Sequence, residues 1–291
     1  MTGMSPRRPG RLDKTGWIGL ILLGAIVLSA VFAPCLSPYP PGLQLSDGLD
    51  ADGAPLPPCW RFPLGTDLLG RDVLSRLLWG GRDALLIGGV ANTVAVMTGT
   101  LIGMCAAMAT GRVGGWIGAG LMRLTDLVAS IPVLLLAVTV SAVLRPSIWV
   151  VMLVVALAGW APVARVIYVE TSGLSARLHV RAARALGVGW GRIVLRHILP
   201  LLGPVIVVWG TLGIAGSVLL EATLSYLGAG VQPPEASWGS IINENQAYLL
   251  IAPWLVFAPG GAILLLAAGA NLTGSALKRR WMPGATELDS L

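Results

Sequence analysis

Residues 201–220 read LLGPVIVVWGTLGIAGSVLL, twenty residues without a single charge. At ~1.5 Å rise per residue such a helix covers the ~30 Å hydrocarbon of a bilayer. Lipid offers the backbone no other hydrogen-bond partner, so a run of this kind reads as a spanning helix. Working outward from it, residues 16–33, 84–109, 124–144, 147–161 and 251–272 are of the same type. The run 147–161 is short and is expected to continue past Pro162 with a kink. The run 124–144 carries Asp126 and Pro132 near its start. Glycines inside the runs, among them Gly88, Gly89, Gly99, Gly103, Gly210, Gly213 and Gly216, let helix backbones approach closely. The expectation is an all-α integral membrane protein, a bundle of six transmembrane helices.

Composition agrees. Of 291 residues, 55% are hydrophobic and 12% charged, where a soluble domain carries ~25% charged residues. So few charges would leave large apolar patches on a soluble globule. A cytosolic enzyme, a disordered tail and a disulfide scaffold are excluded. The net charge of +6 rests on 18 Arg and 2 Lys scattered between apolar runs, which is not the gathered patch of a nucleic-acid binder.

The first run is preceded by Arg7, Arg8, Arg11 and Lys14, as a signal peptide would be. Its length, and Pro34 directly after Val31-Phe32-Ala33, favour an uncleaved anchor. With the N-terminus in the cytoplasm, 15 basic residues fall inside and only Arg61, Arg71, Arg76, Arg82 and Arg145 outside. That bias follows the positive-inside rule and puts both termini in the cytoplasm. Inside, the 15 basic residues stand against 5 acidic ones, while outside 5 stand against 9. The layout is then a cytoplasmic tail 1–15, a first span 16–33, an outward loop 34–83, a five-helix core 84–272 containing an inward loop 162–200, and a tail 273–291. The outward loop closes in an amphipathic stretch. There Leu69, Val73 and Leu77 recur at i, i+4, and Asp67/Arg71 and Asp72/Arg76 are spaced as ion pairs. It reads as a short interfacial helix.

The chain shows no engine of its own. Neither lysine sits in a G-x-x-x-x-G-K-[ST] loop, and there is no H-E-x-x-H or G-x-S-x-G. His179 and His197 lie among arginines without a carboxylate cluster, so a metal site is not expected. A partner or an ion gradient must supply the energy. An ion-coupled carrier would place ionisable residues at mid-membrane, whereas Asp126 and Glu221 lie near span ends.

The inward loop is distinctive. Residues 171–200 read TSGLSARLHVRAARALGVGWGRIVLRHILP. Arg177, Arg181 and Arg184 share one face of a short helix, and Leu178, Ala182, Ala185 and Leu186 lie on the adjoining face. Gly187 and Gly189 end it, and 190–199 forms a second helix leading to Pro200. Such a helix suits docking in a groove on another protein, or resting on anionic lipid headgroups.

Ala182-Ala183, Gly187 and the closing Leu199-Pro200 resemble the EAA loop of ABC importer permeases. Arg181 stands where that motif has its glutamate, and Leu201 where it often has asparagine. The blocks 62–88 (FPLGTDLLGRDVLSRLLWGGRDALLIG), 220–242 (LEATLSYLGAGVQPPEASWGSII) and 252–280 (APWLVFAPGGAILLLAAGANLTGSALKRR) resemble the oligopeptide, dipeptide and nickel permease family, second or "C-type" subunit. The tail differs from that family, with Lys278-Arg279-Arg280-Trp281 in place of an acidic end.

The resemblance implies a type I ABC importer permease of the bacterial inner membrane, half of a heterodimeric pore completed by a homologous permease. Two ABC ATPases would bind ATP and Mg²⁺ and drive it. A periplasmic or lipid-anchored solute-binding protein would deliver the substrate, and membrane lipid would surround the spans. It implies no cofactor in this chain and no catalytic residue. Arg177, Arg181, Ala182, Ala183, Arg184, Gly187, Leu199 and Pro200 would be the ATPase-coupling surface. Peptides are the implied cargo, with nickel, metal chelates or another small solute as alternatives. A self-contained ion-coupled carrier is the rival class, and an intramembrane enzyme stands further off.

Glu235, Trp238 and Glu244 in the last outward loop read either as a docking rim for the binding protein or as a solvated loop with an interfacial tryptophan. Cys35 and Cys59 share the outward loop, where they would be a disulfide or two free thiols. Cys105 is expected buried in the second span.

Overall fold

The structure, a computed structural model, describes residues 13–109, 111–232 and 235–281. Arg7, Arg8, Arg11, Glu287 and Asp289, assigned above to the tails, lie outside the described residues. Asp13 starts the first helix, its side chain accepting from the Gly16 N–H at 2.9 Å. That bond holds the carboxyl below its ordinary value, assisted by Thr15 and Arg279. Helix α1 (Lys14–Val31) is followed by the short α2 (Ala33–Leu36). Residues 37–72 form a layer of turns with two isolated bridges, Leu49–Pro55 and Thr66–Asp72.

Asp72 then caps α3 (Val73–Leu86) through the Ser75 N–H at 2.8 Å. A π-turn over Ile87–Ala91 leads into α4 (Asn92–Met108). The whole of Val73–Met108 is one run of 36 residues. The expected interfacial helix is therefore the outer end of the second span rather than a separate element. Gly88-Gly89 is absorbed by widening one turn, a device that frees local backbone without ending the helix.

Helix α5 (Gly111–Ser130) and α6 (Val133–Val143) correct the third expected span. They meet at Ile131-Pro132 with a bend of 82°. Proline cannot donate to the helical ladder and its ring crowds the preceding turn, so the break falls there. Helix α7 (Ile148–Ser175) continues through Pro162, as expected, and far beyond residue 161. Next come α8 (Leu178–Ala185) and α9 (Trp190–Ile193), and a π-turn over Val194–Ile198. Helix α10 (Leu199–Tyr226) continues from that turn. Helix thus occupies most of the range 162–200. Helices α11 (Trp238–Asn245) and α12 (Trp254–Trp281) close the described chain.

Five of these runs are long and apolar enough to cross a membrane, and the bent α5–α6 pair makes the sixth. Contacts place the two ends of the pair at opposite ends of the bundle. Gly118 lies against Ala106 at the end of α4, whereas Ser141 Oγ bonds Ala229 O beyond the far end of α10 at 2.9 Å. Helices α4 and α7 pack in parallel: Gly99 meets Val163, and Gly103 meets Ile167 and Tyr168. Helix α12 lies antiparallel to α1, with Gly19 against Thr273 and Gly269 against Leu22 and Leu23. Arg279 reaches Asp13 at 2.8 Å, so both ends of the described chain share the face that carries α8.

Gly99 and Gly103 form a small-xxx-small seam, the usual means of close helix contact where lipid gives no hydrophobic drive. A Cβ at Gly103 would lie 3.0 Å from Ile167 Cβ and from the Tyr168 N, and nearer still to Ala164 O. Gly103→Leu is expected to cost ~1–3 kcal/mol by overpacking and to lower the monodisperse fraction on detergent gel filtration. Gly115→Leu, with nothing within 4 Å of the added carbon, is the control. Equal profiles for the two variants would refute the seam.

Candidate functional site

The face shared by the chain ends is dominated by an elbow, α7–α8–α9. Only Ala176 and Arg177 separate α7 from α8, and Val180 alone of α8 is buried, at 2% exposure. Val180 joins Leu174, Ile193, Ile198 and Leu202 in one apolar cluster that reaches Val96, Met104 and Val163. Helix α8 is thereby tied into an apolar cluster shared by α4, α7 and α10. The rest of its surface is open: Arg177, Arg181, Ala182, Arg184 and Ala185 are exposed, and Leu178 and Leu186 are over four-fifths exposed. Ala183 is half-buried. Arg184 also stacks on the Trp190 ring at 4.5 Å, which ties α8 to α9.

Gly187 closes α8 in a way the sequence pattern only partly suggests. Its φ is +77°, the left-handed region, and no atom lies within 4 Å of the place where a Cβ would stand. The Gly187 N–H bonds Arg184 O at 3.0 Å and the Val188 N–H bonds Ala183 O at 3.1 Å. This pair of bonds satisfies the last carbonyls of α8 and aims the chain into α9. The glycine serves backbone conformation, with open space around it. Leu199 and Pro200 sit at the start of α10, just past the π-turn. Pro200 lacks an N–H and crowds the carbonyl of Arg196, which the widened turn relieves. His179 and His197 face each other with ring centroids 6.2 Å apart.

Halfway along the spans lies a cavity of about 510 Å³. Asn92, Pro132, Pro162, Trp209, Gly213 and Ser217 are among its lining residues. Three backbone irregularities converge here: the π-turn before Asn92, the 82° break at Pro132, and Pro162 inside α7. Asn92 Nδ2 donates to Gly210 O at 2.6 Å, joining α4 to α10. Irregular backbone at membrane depth is tolerated where protein buries it or where it lines a wet cavity.

At the opposite end of the bundle, a buried ion network fastens the layer formed by residues 37–72. Asp67 Oδ2 accepts from Arg71 Nε at 2.6 Å and Arg76 Nη1 at 2.7 Å. Glu244 accepts from Arg71 Nη2 at 2.5 Å and Arg76 Nη2 at 3.1 Å. Asp67 and Arg76 side chains are at most 2% exposed. The expected Asp67/Arg71 pair forms, while Arg76 turns away from Asp72, which is occupied in capping α3.

The residues of the expected outward rim are not brought together on a surface. Glu235 is exposed. Trp238 is 2% exposed, donates from Nε1 to Leu77 O at 2.9 Å and packs on Gly80 and Gly81. Glu244 is spent on the two arginines. Cys35 and Cys59 are both exposed free thiols, without a bridge, and Cys105 is exposed on the bundle's flank rather than buried. Asp126 forms an ion pair with Arg165.

Two family descriptions match the chain. "Binding-protein-dependent transport system inner membrane component" matches residues 99–282. "N-terminal TM domain of oligopeptide transport permease C" matches residues 11–58. The chain is 36% identical over 266 residues to the di/tripeptide transport system permease protein DppC of Pseudomonas aeruginosa (strain UCBPP-PA14), covering 89% of this chain and 85% of that protein. It is 32% identical over 283 residues to the dipeptide transport system permease protein DppC of Alkalihalophilus pseudofirmus (strain ATCC BAA-2126 / JCM 17055 / OF4), covering 95% and 90%. The oligopeptide transport system permease protein OppC of Bacillus subtilis (strain 168) is 32% identical over 268 residues, covering 92% and 85%. With five to six candidate spans, a surface elbow and matches along nearly its whole length, the chain belongs to the inner membrane components of binding-protein-dependent transport systems.

Proposed function

We propose that this chain is one permease subunit of an ABC importer for di- or oligopeptides, paired with a homologous permease to enclose the path. The observation that carries the reading is the α8 elbow. It exposes an arginine- and alanine-rich surface and is keyed by Val180 and Ile193 to the ends of three spans. A load applied there reaches α10, and with it one wall of the midplane cavity. Two ATPase subunits would hold ATP and Mg²⁺ and grip Arg177, Arg181, Ala182, Ala183, Arg184 and Gly187, with Leu199 and Pro200 passing the motion into α10. Residues 171–200 contain no acidic side chain, so the receiving groove is expected to be acidic at its rim. The α8 face is then cytoplasmic, together with both termini. Glu235 is the exposed member of the outward trio and the one suited to meet a solute-binding protein.

Peptide cargo is favoured over nickel because, among the described residues, no His, Cys or carboxylate lines the cavity. The three relatives above are also peptide permeases by name. The test is uptake into proteoliposomes holding this chain, its partner permease and both ATPases. Labelled dipeptide should accumulate only with ATP inside and binding protein outside. Accumulation by this chain alone under an ion gradient would overturn the reading in favour of a self-contained carrier.

A further inference from the structure

We infer that the groove between the first and second spans holds one anionic phospholipid, its phosphate on the Arg82 guanidinium and an acyl chain lying along α4. The groove has a volume of about 830 Å³. It is lined by Val27 and Val31 of α1 and by Leu86, Gly89, Val90 and Val94 of the α3–α4 run, with Arg82 at one end. It shares no lining residue with the midplane cavity.

Depth is the first argument for lipid. A Cβ on Gly81 would lie 3.9 Å from Ala30 Cβ, so Arg82 stands level with the end of α1 at Val31, the edge of the hydrocarbon. Arg82 to Val94 is a step of 12 residues, or ~18 Å of helix. Half of a ~30 Å hydrocarbon core is ~15 Å, so the groove is about one leaflet deep. A neighbouring spanning helix would run on past it, whereas an acyl chain ends there.

The second argument is chemical. Among the described residues Arg82 forms no ion pair. Its guanidinium lies over the Trp79 ring at 5.4 Å, which leaves its N–H donors in the ring-parallel directions for another partner. Arginine and tryptophan at the hydrocarbon edge are the side chains that meet headgroups, and a guanidinium binds phosphate oxygens two at a time. Beyond Arg82 the lining changes character at once. Thr93 Oγ1 donates to Gly89 O at 2.6 Å, and the remaining lining residues are aliphatic or glycine. A peptide segment laid here would have its amides unpaired, at a cost a hydrocarbon chain does not incur. Gly89 keeps the groove open, with nothing within 4 Å of the place of a Cβ. A single charge at one end of an otherwise apolar channel matches a molecule built the same way.

The test is photolabelling of the complete transporter in phosphatidylcholine nanodiscs, using phosphatidylglycerol with a diazirine on its acyl chain. Peptide mapping should find the label between Val90 and Val94, and unlabelled phosphatidylglycerol should displace it more effectively than phosphatidylcholine. Arg82→Gln should lower labelling about fivefold, the worth of one basic residue near an anionic headgroup. Arg82 is exposed, so its replacement leaves the packing intact. Arg145→Gln, at an exposed position just before α7 at the same end of the bundle, should change nothing. Gly89→Phe should fill the groove and abolish the label there. Equal labelling of Arg82→Gln and the unsubstituted chain would overturn the phosphate contact. An unlabelled groove in the intact transporter, with a cysteine placed at Val90 cross-linking to the partner permease, would overturn lipid as the occupant in favour of a partner helix. The readout is labelling rather than uptake, so it stands apart from the peptide reading.

Discussion

Asp67→Asn is expected to destabilise the protein by ~3–5 kcal/mol, since it breaks a buried ion network by removing one partner. Arg71 and Arg76 would then share Glu244 alone, with Arg76 buried at 2% exposure. One carboxylate would then balance two guanidinium groups, with that of Arg76 almost out of reach of solvent, and this is why the loss exceeds the worth of the pair itself. Asp47→Asn supplies the contrast. Asp47 pairs with Arg61 with both side chains about half exposed, and a screened pair of that kind contributes ~0–1 kcal/mol. Thermal melting of the detergent-solubilised complex should show a large drop for the first variant and little change for the second. Equal melting of the two would remove the network from any role in holding the outward layer.

Gly187→Ile is expected to disconnect ATP hydrolysis from uptake while leaving the protein in the membrane. The position has φ +77°, where an L-residue with a Cβ is disfavoured by ~1–2 kcal/mol. That shift lowers the population of the correctly aimed elbow about 5–30-fold against its alternatives. Open space around the site means that no clash spreads into the spans. Gly187→Asn should retain much of the uptake, because asparagine tolerates the left-handed region. Gly189, at φ −62°, should accept alanine without effect. Uptake per hydrolysed ATP, measured in proteoliposomes at matched protein content, separates these outcomes. Wild-type coupling in Gly187→Ile would show that the helix closure is incidental.

Much of the architecture was legible because it is local. Twenty uncharged residues ending at Leu220 can only span. Gly187 four positions after Ala183 marks a helix end, and Pro162 was legible as lying inside a continuing helix because apolar residues flank it on both sides. What escaped was set by distant partners or by competition for one group. Arg76 is spaced for Asp72, yet Asp72 spends its carboxylate on the Ser75 N–H and hydroxyl, and Arg76 goes to Asp67 and Glu244 instead. Trp238 was legible as an interfacial aromatic. Only the packed Gly80-Gly81 surface, some 160 residues earlier, gives its ring a buried seat. Pro132 and Pro162 look alike in sequence, and one breaks its span by 82° while the other does not. The midplane cavity was hidden for the same reason, being assembled from four separate segments.

The ion network has a consequence for how the protein is made. Arg71 and Arg76 emerge from the ribosome with Asp67 beside them, but Glu244 follows 173 and 168 residues later. Until Glu244 is made, Arg71 and Arg76 therefore have only Asp67 of the network to pair with. The network can close only once α11 has been made and docked, which makes α11 the clasp of the layer formed by residues 37–72. A chain that ends before Glu244 keeps both guanidinium groups on one carboxylate and leaves that layer unfastened.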